Sequence, residues 1–439
     1  MSAATIDTIV APATPVGRSA LAIVRIDGPL SAAILEKLAG ARSEARMALL
    51  TSLHYSGEKL DQCIAVRYVA PHSFTGNDLV ELTLHGSPVI VESVIHAAIE
   101  MGARAAEPGE FTERAVLNGK LDLVQAESIA DLINARTSLQ ARLSLANLEG
   151  VLSRRASAIR ETLLSLISRL EAALDFSEEG YEFVTRDQAI LQVEAAIAEA
   201  NALSETYRRG RATAAGLSAV ILGRPNAGKS TLLNQLVGSD RAIVTPIPGT
   251  TRDIVRETIE VGGLPVTFAD TAGLRESSDA VESIGIERAR RAAETADIVL
   301  YLVDASIGLS EEDGEEIARL RDPIVLHTKT DLAPAPAGAL GISVTADRGV
   351  PEVLARLDAI VRDHFAAPEG SLVNERQRQA VAACLEGLHA ARTSLTDALD
   401  EQIVLVDLYR ASTALGMLTG AITREEIFDE IFSKFCIGK

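Results

Sequence analysis

The spacing of apolar positions changes along this chain, and each change marks a change of element. Up to about residue 118, apolar and polar residues alternate over short runs: Ile64, Val66 and Tyr68 in one, Val80, Leu82 and Leu84 in another. Successive side chains of a strand point to opposite faces, so this period of two predicts half-buried strands, here mixed with helices. From about 119 the chain turns alanine-rich and takes the period of a helix. Leu163, Leu166, Ile167 and Leu170 fall on one face, and Ile190, Val193 and Ile197 on the face of a second helix. Between about 216 and 365, compact runs predict strands at Ala219–Leu222, Glu257–Val261, Val266–Ala269, Ile298–Val303 and Ile324–His327. Helical spacing then returns with Val381, Leu385 and Leu388.

The simplest organisation is a multidomain α/β and α+β chain. An α+β domain over 1–118 precedes a discontinuous helical domain over 119–215 and 366–439, into which an α/β domain with a mainly parallel sheet is inserted at 216–365. Insertion succeeds where both ends meet at the surface, and a module placed in that way can pass motion to its host.

Candidate chemistry is concentrated in the insert. Gly223-Arg224-Pro225-Asn226-Ala227-Gly228-Lys229-Ser230 lies between the strand Ala219–Leu222 and a helix that starts with Thr231. Strand, glycine loop and helix are what a phosphate-binding loop requires: backbone N–H groups turn towards phosphate oxygens, and the helix adds its positive dipole end. Lys229 would reach the outer phosphates, and the Ser230 hydroxyl would sit on Mg²⁺. The predicted ligand is a nucleoside triphosphate.

The motifs that follow choose the base. Asp270-Thr271-Ala272-Gly273 ends the strand Val266–Ala269, where a carboxylate can hold the water shell of Mg²⁺ and the Gly273 N–H can reach a γ-phosphate. After the strand ending in Asp304 comes Thr328-Lys329-Thr330-Asp331, which is similar to the N-K-x-D signature of GTPases. Asp331 would accept two hydrogen bonds from guanine, and the Lys329 stem would cover the base. Thr328 stands where GTPases usually have asparagine. A threonine cannot supply the amide that braces base and phosphate loop, so selectivity is expected to rest on Asp331. Ser343-Val344-Thr345 resembles, imperfectly, a further base-contact loop.

Between these motifs lies Thr245-Pro246-Ile247-Pro248-Gly249-Thr250-Thr251, ahead of Arg252-Asp253. A threonine-rich loop there can close over the γ-phosphate, with Thr251 the candidate Mg²⁺ ligand. Leu274 follows Gly273, and an aliphatic side chain cannot orient an attacking water, so another group must do so.

Composition narrows the setting. A chain of 439 residues, 47% hydrophobic, can hold about three domains with their own cores. No apolar stretch is long enough to span a bilayer, and Met1–Val10 lacks the basic start and apolar run of a signal peptide. Cys63, Cys384 and Cys436 offer neither a C-x-x-C pair nor a disulfide framework, and a cytoplasmic setting without membrane insertion is expected. The net charge of −19 argues against a broad basic surface for RNA. If RNA is bound, a local patch or a partner must hold it.

The chain resembles the MnmE/TrmE family of bacterial tRNA-modification GTPases nearly from end to end. Beyond the nucleotide motifs the likeness rests on Ala13–Arg18, Ser73–Asp78, His85–Val89, Pro108–Thr112, Asn118–Leu123 and the terminal Phe435-Cys436-Ile437-Gly438-Lys439. The resemblance implies a Ras-like insert that hydrolyses GTP and is stimulated by K⁺. It implies Glu282 as the catalytic group that positions water after the GTPase domains pair; by itself that glutamate would read as a helix-capping or solvated residue. It implies Asn226, Thr245, Ile247 and Thr250 as the K⁺ positions.

The resemblance also makes the N-terminal domain a dimerisation module. That module binds a 5-formyl- or 5,10-methylene-tetrahydrofolate type one-carbon donor through Arg25, Glu81, Lys120 and Lys439. The implied partners are a second copy, an MnmG-type FAD protein in an α2β2 assembly, and tRNA. The implied product is a carboxymethylaminomethyl or aminomethyl-type group at C5 of the wobble uridine, U34. The other reading is a ribosome-assembly GTPase of the Era or Der kind, but neither a basic KH module nor a second GTPase domain is present in the sequence. Cys436 reads as a small buried hydrophobe, as a reactive thiol near folate, or as a prenylation box, the last opposed by Gly438 and Lys439.

Overall fold

The computed structural model describes residues 7–176, 183–238, 241–243, 256–269, 291–343, 348–422, 428, 431–433 and 435–438. The chain divides into two compact units, residues 1–130 with 412–439, and residues 131–411.

The first unit begins with β1 (Ile9–Pro12), β2 (Leu21–Asp27), α1 (Ser31–Ala39), β3 (Leu49–Tyr55), β4 (Glu58–Tyr68) and β5 (Leu79–His85). It continues through α2 (Pro88–Glu100), β6 (Arg104–Ala105), α3 (Glu110–Leu117) and α4 (Leu123–Asn134). The sheet order is β3-β4-β5-β2-β1-β6, antiparallel except where β6 joins β1 in parallel. Val24, Ile26, Val80, Leu82 and Leu84 lie against Ile34, Leu35 and Leu38 of α1 and Val94, Ala97 and Ala98 of α2.

The strand predicted around Ile64 is present, but its buried face is the other one. Asp61, Cys63 and Ala65 are buried, while Ile64 is 44% exposed beside its cross-strand partner Leu50 at 68%. The reason is that α1 and α2 pack on one face of the sheet, where the small side chains of Cys63 and Ala65 join the core. Apolar alternation identified the strand and could not say which face the helices would cover.

A charge network joins the end of β2 to β6 and α3, with Asp27 and Glu110 buried in it. Asp27, fully buried, accepts hydrogen bonds from Thr75, from Asn77 Nδ2 at 3.0 Å and from Arg114 Nη1 at 3.0 Å. Glu110 accepts from Arg104 at 2.6 and 2.8 Å and from Arg114 at 2.8 Å. Burial alone pushes the Glu110 carboxyl up, but Arg104, the Glu107 N–H and Arg114 outweigh it and hold it below its ordinary value.

The tail closes this unit. Ile431, Phe432 and Phe435 pack with Leu123 and Ala126, and Gly109 donates its N–H to the Cys436 carbonyl at 3.4 Å. A Cβ on Gly438 would lie 1.9 Å from the Pro12 carbonyl oxygen, so only glycine allows that approach.

The second unit starts with α5 (Ser138–Leu148), α6 (Val151–Asp175), α7 (Arg186–Glu205) and α8 (Tyr207–Ala215). Capping boxes at Thr137/Gln140 and Thr185/Gln188 start α5 and α7. The apolar face of α6, Leu163, Leu166, Ile167 and Leu170, is buried as its spacing predicts. Next come β7 (Leu217–Gly223), α9 (Lys229–Val237), β8 (Arg256–Val261), β9 (Leu264–Ala269), β10 (Ile298–Asp304) and α10 (Glu311–Arg319). The chain then runs through β11 (Ile324–Thr328), β12 (Leu340–Gly341), α11 (Val350–Phe365), α12 (Glu375–Thr396) and α13 (Glu401–Thr419).

The second sheet has the order β12-β11-β10-β7-β9-β8, parallel except for the β8–β9 pair. One face packs Ala219, Ile221, Leu300 and Leu302 against Leu232 and Leu236 of α9 and Leu357 and Val361 of α11. The other face, with Val220, Leu222, Val299 and Val303, meets Ile317 and Leu320. Burial on both faces explains why these strands read as unbroken apolar runs. The ends of the α/β stretch meet: Thr213 Oγ1 donates to the Phe365 carbonyl at 3.2 Å and accepts from the Ala367 N–H at 3.1 Å.

Candidate active site

The phosphate loop is shaped by three successive backbone demands. Gly223 leaves β7 at φ +135°, where a Cβ would stand 2.4 Å from the Leu302 carbonyl oxygen on β10. Asn226 has φ +61°, and Gly228 caps α9 at φ +92°. Helix α9 therefore opens at Lys229, with the unpaired N–H groups and dipole of its first turn at the loop. Lys229 Nζ donates to the carbonyls of Gly223 and Arg224, each at 2.8 Å. Burial draws the pKa of this ammonium down from its ordinary value. Ala227 is buried, whereas Asn226, Ser230 and Thr231 are exposed.

Strand β11, which leads into the predicted base signature, is joined to this loop through the residue that departs from that signature. Thr328 is 3% exposed, and its hydroxyl donates to the Ala227 carbonyl at 2.8 Å, with the Val303 carbonyl at 3.3 Å. The expectation that threonine forfeits the brace is therefore corrected for the phosphate loop. A hydroxyl is one donor shorter than an amide, but it reaches the loop because the end of β11 lies directly beside it. Beyond it, Lys329 adopts φ +55° and pairs with Asp304 Oδ2 at 2.6 Å. Burial raises the Asp304 pKa, but Lys329 and Ser306 outweigh it and hold the carboxyl below its usual range. Ser343 Oγ donates to Asp331 Oδ1 at 2.6 Å, which fixes the carboxylate that sequence predicts to face guanine.

Several predicted site residues lie outside the described residues: Thr245, Pro246, Ile247, Pro248, Gly249, Thr250, Thr251, Asp270, Thr271, Ala272, Gly273, Glu282, Val344, Thr345 and Lys439. The described ones, Asn226 to Thr231 with Thr328, Lys329, Asp331 and Ser343, fall on one end of the second sheet, at the carboxyl ends of β7 and β11. Ligands of open parallel sheets bind there. Spacing gave no sign of Asp304 as the partner of Lys329.

In the first unit Arg25 and Glu81 are paired across β2 and β5, and Arg25 Nε donates to Glu81 Oε1 at 2.8 Å. Sequence reasoning missed two neighbours. Tyr68 Oη lies 3.4 Å from Glu81 Oε2, and the Arg25 guanidinium sits 5.4 Å from the centre of the Phe74 ring. Lys120 Nζ donates to the Pro71 carbonyl at 3.0 Å, on the segment that carries Phe74. Burial, and then the Glu81 charge, push the Tyr68 hydroxyl up. All three cysteines are free; burial pushes Cys63 and Cys384 up to about 12, while Cys436 is exposed, which removes its reading as a buried hydrophobe.

Among the described residues no helix is long and apolar enough to cross a membrane. The family described as the MnmE helical domain matches residues 123–436, and that described as the GTP-binding protein TrmE N-terminus matches residues 8–120. The chain is 41% identical over 450 residues to the tRNA modification GTPase MnmE of Koribacter versatilis, with 99% of each chain covered. It is 41% identical over 455 residues to that of Symbiobacterium thermophilum, again with 99% of each covered. Against that of Aquifex aeolicus it is 40% identical over 451 residues, 99% of this chain and 100% of the relative. With a phosphate loop braced to a guanine-type strand and relatives matched along their whole length, the chain belongs to the MnmE family of tRNA modification GTPases.

Proposed function

We propose that the protein is a K⁺-stimulated GTP hydrolase that acts with an MnmG-type FAD protein on tRNA. The product is a carboxymethylaminomethyl or aminomethyl-type group at C5 of U34. The observation that carries this reading is the Thr328–Ala227 hydrogen bond, which joins the guanine-type strand to the phosphate loop in a chain of this family. Family membership also favours it over the ribosome-assembly reading.

The roles follow from the chemistry of each group. Lys229 and the first turn of α9 hold the β- and γ-phosphates, and Asp331, fixed by Ser343, takes the guanine edge. Ser230 and Asn226 are exposed at the loop, and each offers a side-chain oxygen, the ligand atom that hard cations take. Mg²⁺ on Ser230 and Thr251, and K⁺ on Asn226, Thr245, Ile247 and Thr250, would neutralise charge that builds on the phosphates. Glu282 positions the attacking water.

The domain over 1–118 pairs with a second copy and holds the folate-type donor at Arg25, Glu81, Lys120 and Lys439. The open sheet face around Leu50 and Ile64 and the Arg25–Glu81 pair support that assignment. The helical domain, 119–215 with 366–439, links it to the GTPase domain, 216–365. The decisive experiment is mass-spectrometric nucleoside analysis of tRNA from a strain lacking this gene. Loss of the modified wobble uridine supports the reading, and an unchanged wobble nucleoside overturns it.

A further inference from the structure

Arg224, in the outer half of the phosphate loop, is tied to an element that the nucleotide motifs do not include. Its Nη2 lies 2.6 Å from Glu312 Oε2 and its Nε 3.2 Å from Asp313 Oδ1, both on the first turn of α10. Asp313 is 3% exposed and fully engaged. Its Oδ2 accepts from the Ser310 hydroxyl at 2.7 Å and from the Ser310 N–H at 3.1 Å, an ordinary capping box. Its Oδ1 takes no part in that cap. It accepts from Tyr301 Oη of β10 at 2.9 Å and faces Arg224. A cap alone needs neither contact.

The backbone of Arg224 connects this anchor to the chemistry. Its carbonyl accepts from Lys229 Nζ at 2.8 Å and from the Ala227 N–H at 3.2 Å. Across the loop, the Ala227 carbonyl is held by Thr328 at 2.8 Å. Pro225 and Asn226 therefore span two anchors, Arg224 on α10 and Ala227 on β11. Asn226 sits at φ +61°, in the left-handed region that asparagine adopts more readily than other non-glycine residues, between these two anchors.

We propose that Arg224 and Asp313 are positioning residues that hold the phosphate loop, and with it the Asn226 carboxamide, in the conformation that receives phosphate and a monovalent cation. The cation half rests on the reading of Asn226 as a K⁺ ligand. The loop half does not.

The test uses the full chain with Asp313→Asn, Arg224→Gln and Arg224→Lys. Amide hydrogen exchange over residues 224–230 is read in nucleotide-free protein, alongside GDP affinity and the K⁺ concentration for half-maximal hydrolysis. In Asp313→Asn and Arg224→Gln, loop exchange should rise about fivefold and the K⁺ requirement should rise with it, while Arg224→Lys recovers most of both. Unchanged loop exchange, or faster exchange confined to 310–319, overturns the proposal and leaves Asp313 a cap. If the wild type hydrolyses GTP equally well in Na⁺, the K⁺ reading fails, and the exchange result still decides the brace.

Discussion

The Thr328 hydroxyl donates to the Ala227 carbonyl at 2.8 Å, so the end of β11 and the glycine loop ahead of α9 are fastened at one buried point. Thr328→Val keeps the volume and removes the donor. A net hydrogen bond contributes about 1 kcal/mol, so GDP affinity should fall roughly fivefold to tenfold, and Thr328→Ser should recover it. A nucleotide titration with equal affinity for valine and threonine would remove the brace from binding.

Asp331 is the residue assigned to the guanine edge. A carboxylate accepts from two guanine donors, whereas the asparagine of Asp331→Asn offers one acceptor and one donor. That variant should bind GTP about 100-fold more weakly and prefer a base with a carbonyl in place of the guanine amino group, such as xanthine. Competition between GTP and XTP measures the change, and retained GTP preference contradicts the assignment.

Glu282→Ala should abolish hydrolysis with GTP still bound. Single-turnover phosphate release against filter-bound nucleotide separates the two effects. Turnover at the wild-type rate takes Glu282 out of catalysis.

Exchange of K⁺ for Na⁺ should slow hydrolysis about tenfold or more, since a misfitted cation leaves transition-state charge poorly neutralised. An ion-indifferent rate removes Asn226 from that role.

Glu110 should contribute to the acid sensitivity of the first unit. Glu110, 7% exposed, accepts from Arg104 and Arg114, and Glu110→Gln should cost about 2 kcal/mol at neutral pH, because each guanidinium loses one carboxylate partner while both keep Asp7 and Arg114 keeps Asp27. The folded pKa lies below the ordinary glutamate value of about 4.5, so this contribution is fully present above about 4.5 and is lost as pH falls through the folded value. Urea unfolding of both proteins at pH 7 and pH 3 should show the gap narrowing; a constant gap contradicts the ion-pair account.

Much of this molecule was legible in the linear chain, for a physical reason. A phosphate loop is a local device: Gly223, Gly228 and Lys229 act through backbone turns and a helix start within eight residues, so their order alone carries the chemistry. Helical faces such as Leu163 to Leu170 are equally local, since their period reports the side that is buried. What the sequence could not determine were relations between distant segments. Which face of β4 is covered depends on where α1 and α2 pack, and the alternation of Ile64 and Val66 is the same either way. Whether threonine at 328 keeps the brace depends on its distance from Ala227, 101 positions away. The anchors of Lys329 on Asp304 and of Arg224 on Asp313 also join segments that only the parallel sheet brings together. Local conformation is written in neighbouring residues, but a hydrogen bond across the sheet exists only once the strands have packed.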